Sequence, residues 1–63
     1  MTKREKAIEK YEDKINETYK KLRKEAKEQL MERAKSLNVY TDNGKYNKNW
    51  IAYDIAVKMV TGY

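Results

Sequence analysis

The sequence predicts an all-α protein in which a long N-terminal helix, an Asn-Gly turn and a short apolar C-terminal helix form a helical hairpin. Three observations predict this class. Apolar residues recur every three or four positions up to Leu37, the chain has no proline, and both glycines lie beyond that stretch. A chain of 63 residues is one domain at most, so we expect a single helical domain over residues 1–63.

The first helix is predicted to span residues 3–37. Thr2 and Glu5 have the spacing of a capping box, in which the hydroxyl accepts from the Glu5 amide and the carboxylate reaches back. Asn38 can take the left-handed conformation that closes a helix. The apolar residues between these ends lie on one helical face, the apolar stripe. Its members are Ile8, Tyr11, Ile15, Tyr19, Leu22, Ala26, Leu30 and Leu37.

A turn is predicted over residues 38–48 because Asp42-Asn43-Gly44 supplies the positive φ angles of a tight reversal. Asn47 or Asn49 can cap a second helix over residues 49–60, and Gly62 can end it. Only Asp54 and Lys58 interrupt the apolar surface of this second helix. A helix that is apolar almost all round is normally buried all round.

The two predicted helices differ in length. About 35 residues make a first helix about 50 Å long, whereas the second spans only about 17 Å. The second helix can therefore cover about one third of the apolar stripe. Five stripe residues stay uncovered in a hairpin: Ile8, Tyr11, Ile15, Tyr19 and Leu22. We therefore expect the chain to form a homodimer or to dock on a larger protein.

The alternative is a break in the first helix near Asn16-Glu17-Thr18, where helix propensity is lowest. Such a break would fold the chain into a compact three-helix monomer. No glycine or proline supports a turn at that position.

The residue inventory disfavours catalysis. The chain has no Cys and no His, and Ser36 is its only serine, so nucleophilic catalysis and thiolate or imidazole metal sites lack their groups. Carboxylate pairs such as Glu9 with Asp13 are typical of a solvated helix face. We expect no enzyme activity, no cofactor, no metal and no small-molecule substrate.

The favoured function is protein binding, because tyrosine and tryptophan are enriched at interface hot spots. The composition, rich in Lys, Asn, Tyr and Ile, is typical of small phage and plasmid reading frames. We expect a phage or mobile-element accessory protein that inhibits or redirects a host factor by occlusion. The predicted partner interface comprises Ile8, Tyr11, Ile15, Tyr19, Leu22, Tyr40, Tyr46, Trp50 and Tyr53.

The alternative function is sequence-tolerant nucleic-acid binding. The net charge is +5, and cations alternate with aromatic residues around Tyr46 and Trp50. The residues that would contact phosphates are Lys20, Lys21, Arg23, Lys24, Lys27, Lys45 and Lys48.

The predicted location is the cytoplasm. No apolar segment follows the charged N-terminus, so no secretory signal is indicated. The longest apolar stretch, Trp50 to Val60, is shorter than the roughly 20 residues of a spanning helix, so we expect no membrane partner.

Overall fold

The computed structural model describes residues 2–63 and confirms the all-α class. Its four α-helices are α1 (Lys3–Lys10), α2 (Glu12–Leu22), α3 (Lys27–Ser36) and α4 (Lys48–Thr61). A single 3₁₀ turn, Asp42–Gly44, lies between α3 and α4, and no strand occurs in the described residues. The Cα atoms span 29 × 20 × 18 Å.

Helix α4 lies at the centre of the fold. Apolar residues occupy most of the circumference of α4, and α1, α2 and α3 each contact this helix. Five of its side chains have no exposed surface: Ile51, Ala52, Ile55, Ala56 and Val57. The other three helices of this chain therefore supply the covering that α4 requires.

The prediction of one helix over residues 3–37 is wrong, and so is the hairpin built on it. Tyr11, with φ −112° and ψ 25°, separates α1 from α2. Helix α2 ends at Leu22, and Ala26 is extended, with φ −66° and ψ 150°, before α3 begins. The connection between α2 and α3 contains neither Gly nor Pro.

Burial of apolar side chains against α4 explains why the good helix formers between α2 and α3 are not helical. The breaks allow α2 and α3 to pack on α4, so that Ile15 is 1% exposed, Leu22 5% and Leu30 0%. Burying each such side chain is worth about 1.5–3 kcal/mol. The helix propensity lost at an ordinary residue is at most about 0.7 kcal/mol. Ile15 and Leu22 of the apolar stripe are therefore buried within their own chain, Ile8 and Tyr19 are partly buried, and Tyr11 stays exposed.

A salt bridge joins the connection to the next helix. The Arg33 guanidinium lies 2.9 Å from Oε1 of Glu25. Such a partly exposed pair contributes about 0–1 kcal/mol, so it supports the connection without causing it. The alternative prediction placed the break near Asn16, but Asn16 lies inside α2. It anticipated a compact chain and misplaced the break.

The starts of α1 and α4 agree closely with the sequence analysis. The Thr2 hydroxyl accepts from the Glu5 amide at 3.1 Å, which confirms the start of α1. The same hydroxyl also lies 3.3 Å from Oε1 of Glu5, to which it donates. Asn47 caps α4 by accepting from the Asn49 amide at 2.8 Å, so this helix begins at Lys48.

The helix ends also follow local chemistry. Asn38 has φ 59° and closes α3 in a Schellman motif. In this motif the Val39 amide donates to the Ala34 carbonyl at 2.7 Å, and the Asn38 amide donates to the Lys35 carbonyl at 3.3 Å. Gly62, with φ 79°, ends α4 as predicted.

The turn before α4 is left-handed at three consecutive residues. The predicted positive φ angles occur at Asn43 (55°) and Gly44 (83°), and Asp42 also has a positive φ of 51°. Asp and Asn tolerate this region better than other side chains. A Cβ on Gly44 would lie 3.4 Å from Cε of Met31, so the turn also packs closely against α3.

Truncation of a core side chain tests this packing. Leu30→Ala should lower the free energy of unfolding by about 2–5 kcal/mol, because it removes buried methyl groups and leaves a cavity. Met59→Ala, at a residue that is 50% exposed, is the matched control and should change it by about 0.5 kcal/mol or less. Urea denaturation followed by circular dichroism measures both. Equal effects at the two positions would contradict the burial of Leu30.

Candidate functional site

The chain has six tyrosines and one tryptophan, and all except Tyr11 lie along one continuous surface, which we call the aromatic band. The continuity follows from ring contacts and from three depressions that share lining residues. The band comprises Tyr19, Tyr40, Tyr46, Trp50, Tyr53 and Tyr63.

A groove between α2 and α4 forms the first part of the band. The rings of Tyr19 and Tyr53 meet edge to face, with centroids 5.9 Å apart and an interplanar angle of 71°. Trp50 and the amides Asn16 and Asn49 complete a depression of about 480 Å³. Helical spacing places Asn16 beside Tyr19, and Asn49 beside Tyr53. None of the described residues that line this groove is charged.

Trp50 projects beside the groove and is 66% exposed. On its other side, Trp50, Tyr46 and Asp54 line a second depression of about 300 Å³. A large apolar ring left in water forgoes the stabilisation that burial would give it. Trp50 is therefore a large apolar side chain that the fold leaves exposed between two depressions.

A third depression, of about 270 Å³, extends the band toward the chain terminus. Its lining residues are Arg4, Asn38, Val39, Tyr40, Tyr46, Asp54, Lys58 and Tyr63. Arg4 forms a salt bridge to Asp54, with 3.2 Å between Nη2 and Oδ1. The Lys58 ammonium donates to the Gly62 carbonyl at 3.3 Å, which leaves its charge uncompensated by that contact.

The left-handed turn brings Tyr40 and Tyr46 together. Their ring centroids are 5.9 Å apart at an interplanar angle of 80°. The Tyr40 hydroxyl donates to Oδ1 of Asp42 at 3.1 Å. This hydrogen bond raises the pKa of Tyr40 above its ordinary value of 10.0, with smaller contributions from desolvation and from Tyr46.

Two cation–π contacts occupy different surfaces. The Arg23 guanidinium lies 5.9 Å from the centroid of the Tyr19 ring, at the α2 end of the band. The Lys10 ammonium lies 5.4 Å from the centroid of the Tyr11 ring, outside the band. A substitution of Lys10 can therefore serve as the control for a substitution of Arg23, since both remove a cation beside a tyrosine ring but only the ring beside Arg23 belongs to the band.

The structure brings together five of the nine residues predicted for a partner interface: Tyr19, Tyr40, Tyr46, Trp50 and Tyr53. Ile15 and Leu22 are instead buried in the core, because the helix break turns them toward α4. Ile8 is half-buried against that core, and Tyr11 is exposed outside the band.

Several residues that line the three depressions were missed from the sequence, among them Asn16, Asn49 and Tyr63. Asn16 and Asn49 line the groove, and Tyr63 lines the third depression. The spacing of Asn49 and Tyr53 on one helix could have suggested a shared face. Nothing in the sequence pattern connects Asn16 with Asn49, because their position in one groove depends on how α2 packs on α4.

The predicted phosphate-contacting residues are dispersed along the chain. Lys20, Lys21, Arg23, Lys24 and Lys27 are exposed from the end of α2 to the start of α3. Lys45 is exposed before α4, and Lys48 is half-buried at its start. Of these seven described residues, Arg23 is the one whose cation lies over a band aromatic ring.

Another depression of about 480 Å³ lies beside the left-handed turn. Its lining residues are Met31, Glu32, Lys35, Val39, Tyr40, Thr41, Asp42 and Asn43. Charged side chains of both signs are mixed along it, and it contains one aromatic ring. It offers neither a convergent polar set nor an apolar surface that a ligand would recognise.

Comparison with known proteins found no match to this chain among family models, curated proteins or solved structures. Within residues 2–63, no group of three or more acidic, His or Cys residues is arranged to hold a metal ion. None of the helices described is both long enough and apolar enough to cross a bilayer. Function therefore has to be inferred from the geometry of the band.

Replacing Asp42 tests the hydrogen bond at the turn. In the native protein the Tyr40 ring signals should titrate above pH 10.0, since ionisation of the phenol breaks its bond to a carboxylate. The stabilisation is thus present below the unfolded-state pKa and is lost as pH rises through the raised folded-state pKa. Asp42→Asn should bring the pKa of Tyr40 back toward 10.0. A pH titration by NMR measures both, and an unchanged midpoint would contradict the assignment.

Proposed function

We propose that this protein is a protein-binding module whose docking surface is the aromatic band centred on Trp50. The observation that carries the proposal is the 66% exposure of Trp50 between two depressions lined by tyrosines. Tryptophan and tyrosine dominate interface hot spots because they bury large areas with few rotatable bonds and keep a polar group. A partner that covers Trp50 would bury the indole ring, which the folded chain leaves exposed.

The chemistry of the groove supports a protein partner over a nucleic acid. Its lining combines three aromatic rings with the amides of Asn16 and Asn49. Amide groups can both donate to and accept from a peptide backbone. A sequence-tolerant nucleic-acid binder instead needs cations along the groove where bases stack, and no described lining residue of this groove is a cation.

Occlusion is the mode of action that such a surface permits. The band uses side chains from α2, α4 and the turn, which the core holds in fixed relation. A small folded chain that docks through this surface would cover a site on a larger factor without chemistry of its own. This fits a phage or mobile-element accessory protein that inhibits or redirects a host factor.

Three single substitutions test the docking surface. Trp50→Ala and Tyr46→Ala alter the band, whereas Tyr11→Ala alters a tyrosine outside it. Tyr46 is 39% exposed and Tyr11 is 41% exposed, so these two form a matched pair. Trp50→Ala should weaken partner binding by about 2 kcal/mol or more, as at an interface hot spot. Its effect on unfolding should be about 0.5 kcal/mol or less, as at other exposed positions.

The measurement is capture from a nuclease-treated lysate of the source cells, with the native chain and each variant immobilised at equal density. A bound protein should be retained by the native chain and by Tyr11→Ala, and lost by Trp50→Ala and Tyr46→Ala. Equal loss with Tyr11→Ala would contradict the proposal. Capture from an untreated lysate that is lost after nuclease treatment would favour nucleic-acid binding instead.

A further inference from the structure

We infer that the segment docking on the aromatic band is acidic and carries an apolar anchor side chain; this inference rests on the proposed function. The groove beside Trp50 indicates that the anchor side chain of the partner is apolar. The cations at the two ends of the band indicate that the residues on either side of this anchor are acidic.

The anchor follows from the lining of the groove. Aromatic rings and two neutral amides line an open depression of about 480 Å³ between α2 and α4, with no charged side chain among the described lining residues. An apolar side chain entering this groove would displace water from Tyr19, Trp50 and Tyr53. A charged side chain would lose hydration there without finding an opposite charge.

The flanks follow from the charges around the groove. Asp54 is the one acidic residue lining the second and third depressions in the part of the chain described, and Arg4 pairs with it at 3.2 Å. Lys58 remains at one end, held by a neutral carbonyl. Arg23 remains at the other end, over the Tyr19 ring. Carboxylates on either side of an apolar anchor would complement these two cations.

The net charge of the whole chain also favours an acidic partner. Fifteen basic and ten acidic residues give a net charge of +5. This net positive charge attracts an acidic segment to the protein and raises its rate of encounter. It also opposes a second copy of this chain, since two copies would bring like charges together at Arg23 and Lys58.

The test uses intrinsic fluorescence, because Trp50 is the only tryptophan and reports directly on its own burial. The probes are three short tryptophan-free peptides with the same two leucines on a glutamate, a glutamine or a lysine background. The glutamate peptide should bind at least about tenfold more tightly than the lysine peptide. Its affinity should fall as NaCl rises from about 0.05 M to about 0.5 M, since salt screens exposed charges.

Two charge variants localise the effect. Arg23→Gln removes the cation over Tyr19, whereas Lys10→Gln removes the equivalent cation over Tyr11, outside the band. Both variants lower the net charge by one. Arg23→Gln should weaken the glutamate peptide several-fold, while Lys10→Gln should leave it nearly unchanged. Equal weakening by both would mean that only net charge matters, and would overturn the inference.

The remaining outcomes also decide the question. Failure of the glutamate peptide to bind up to about 1 mM, or equal binding of the lysine peptide, would overturn the inference. Tighter binding of oligo(dT) than of the glutamate peptide would favour a nucleic acid instead. Trp50-dependent dimerisation in sedimentation, strengthened by salt, would favour a second copy. If any of these occurs while Trp50-dependent protein capture persists, the proposed function stands and only the acidic character of the partner fails.

Discussion

Burial of most of the apolar surface of α4 is the constraint on which the rest of the structure depends. This helix carries Ile51, Ile55 and Val57 in a sequence with almost no polar face, so a single neighbour cannot cover it. The N-terminal residues must therefore reach it from several directions. One straight helix cannot do so, and the breaks at Tyr11 and after Leu22 divide it into three shorter helices that can.

The same burial determines which apolar side chains are left for a partner. Once Ile15 and Leu22 enter the core, the apolar stripe no longer requires a second chain. The aromatic residues that remain at the surface gather around Trp50, because α2 and α4 bring Tyr19 and Tyr53 into contact there. The sequence analysis placed the partner surface along the first helix, whereas the surface that we propose lies on α2, α4 and the turn before α4.

Local chemistry was predictable and long-range packing was not. Thr2 caps the start of α1, and Asn38 and Gly62 close the ends of α3 and α4, as predicted. These positions were predictable because caps depend on the conformations of single residues and their near neighbours. The break after Leu22 carries no such signal, since Arg23-Lys24-Glu25-Ala26 consists of good helix formers. Its cause lies in α4, more than twenty positions later. Tyr40, Tyr46 and Trp50 were identified by residue type, whereas Asn16 and Tyr63 enter the site through packing alone.

Small-angle X-ray scattering of the purified chain, over a series of concentrations, tests self-burial most directly. The Cα atoms of the compact fold have a radius of gyration of 11.0 Å and a longest extent of 29 Å. We predict forward scattering for the mass of one chain and a maximum dimension only a few side-chain lengths above that extent. A maximum dimension of about 50 Å or more, as an unbroken first helix would require, together with the mass of a dimer, would contradict the account.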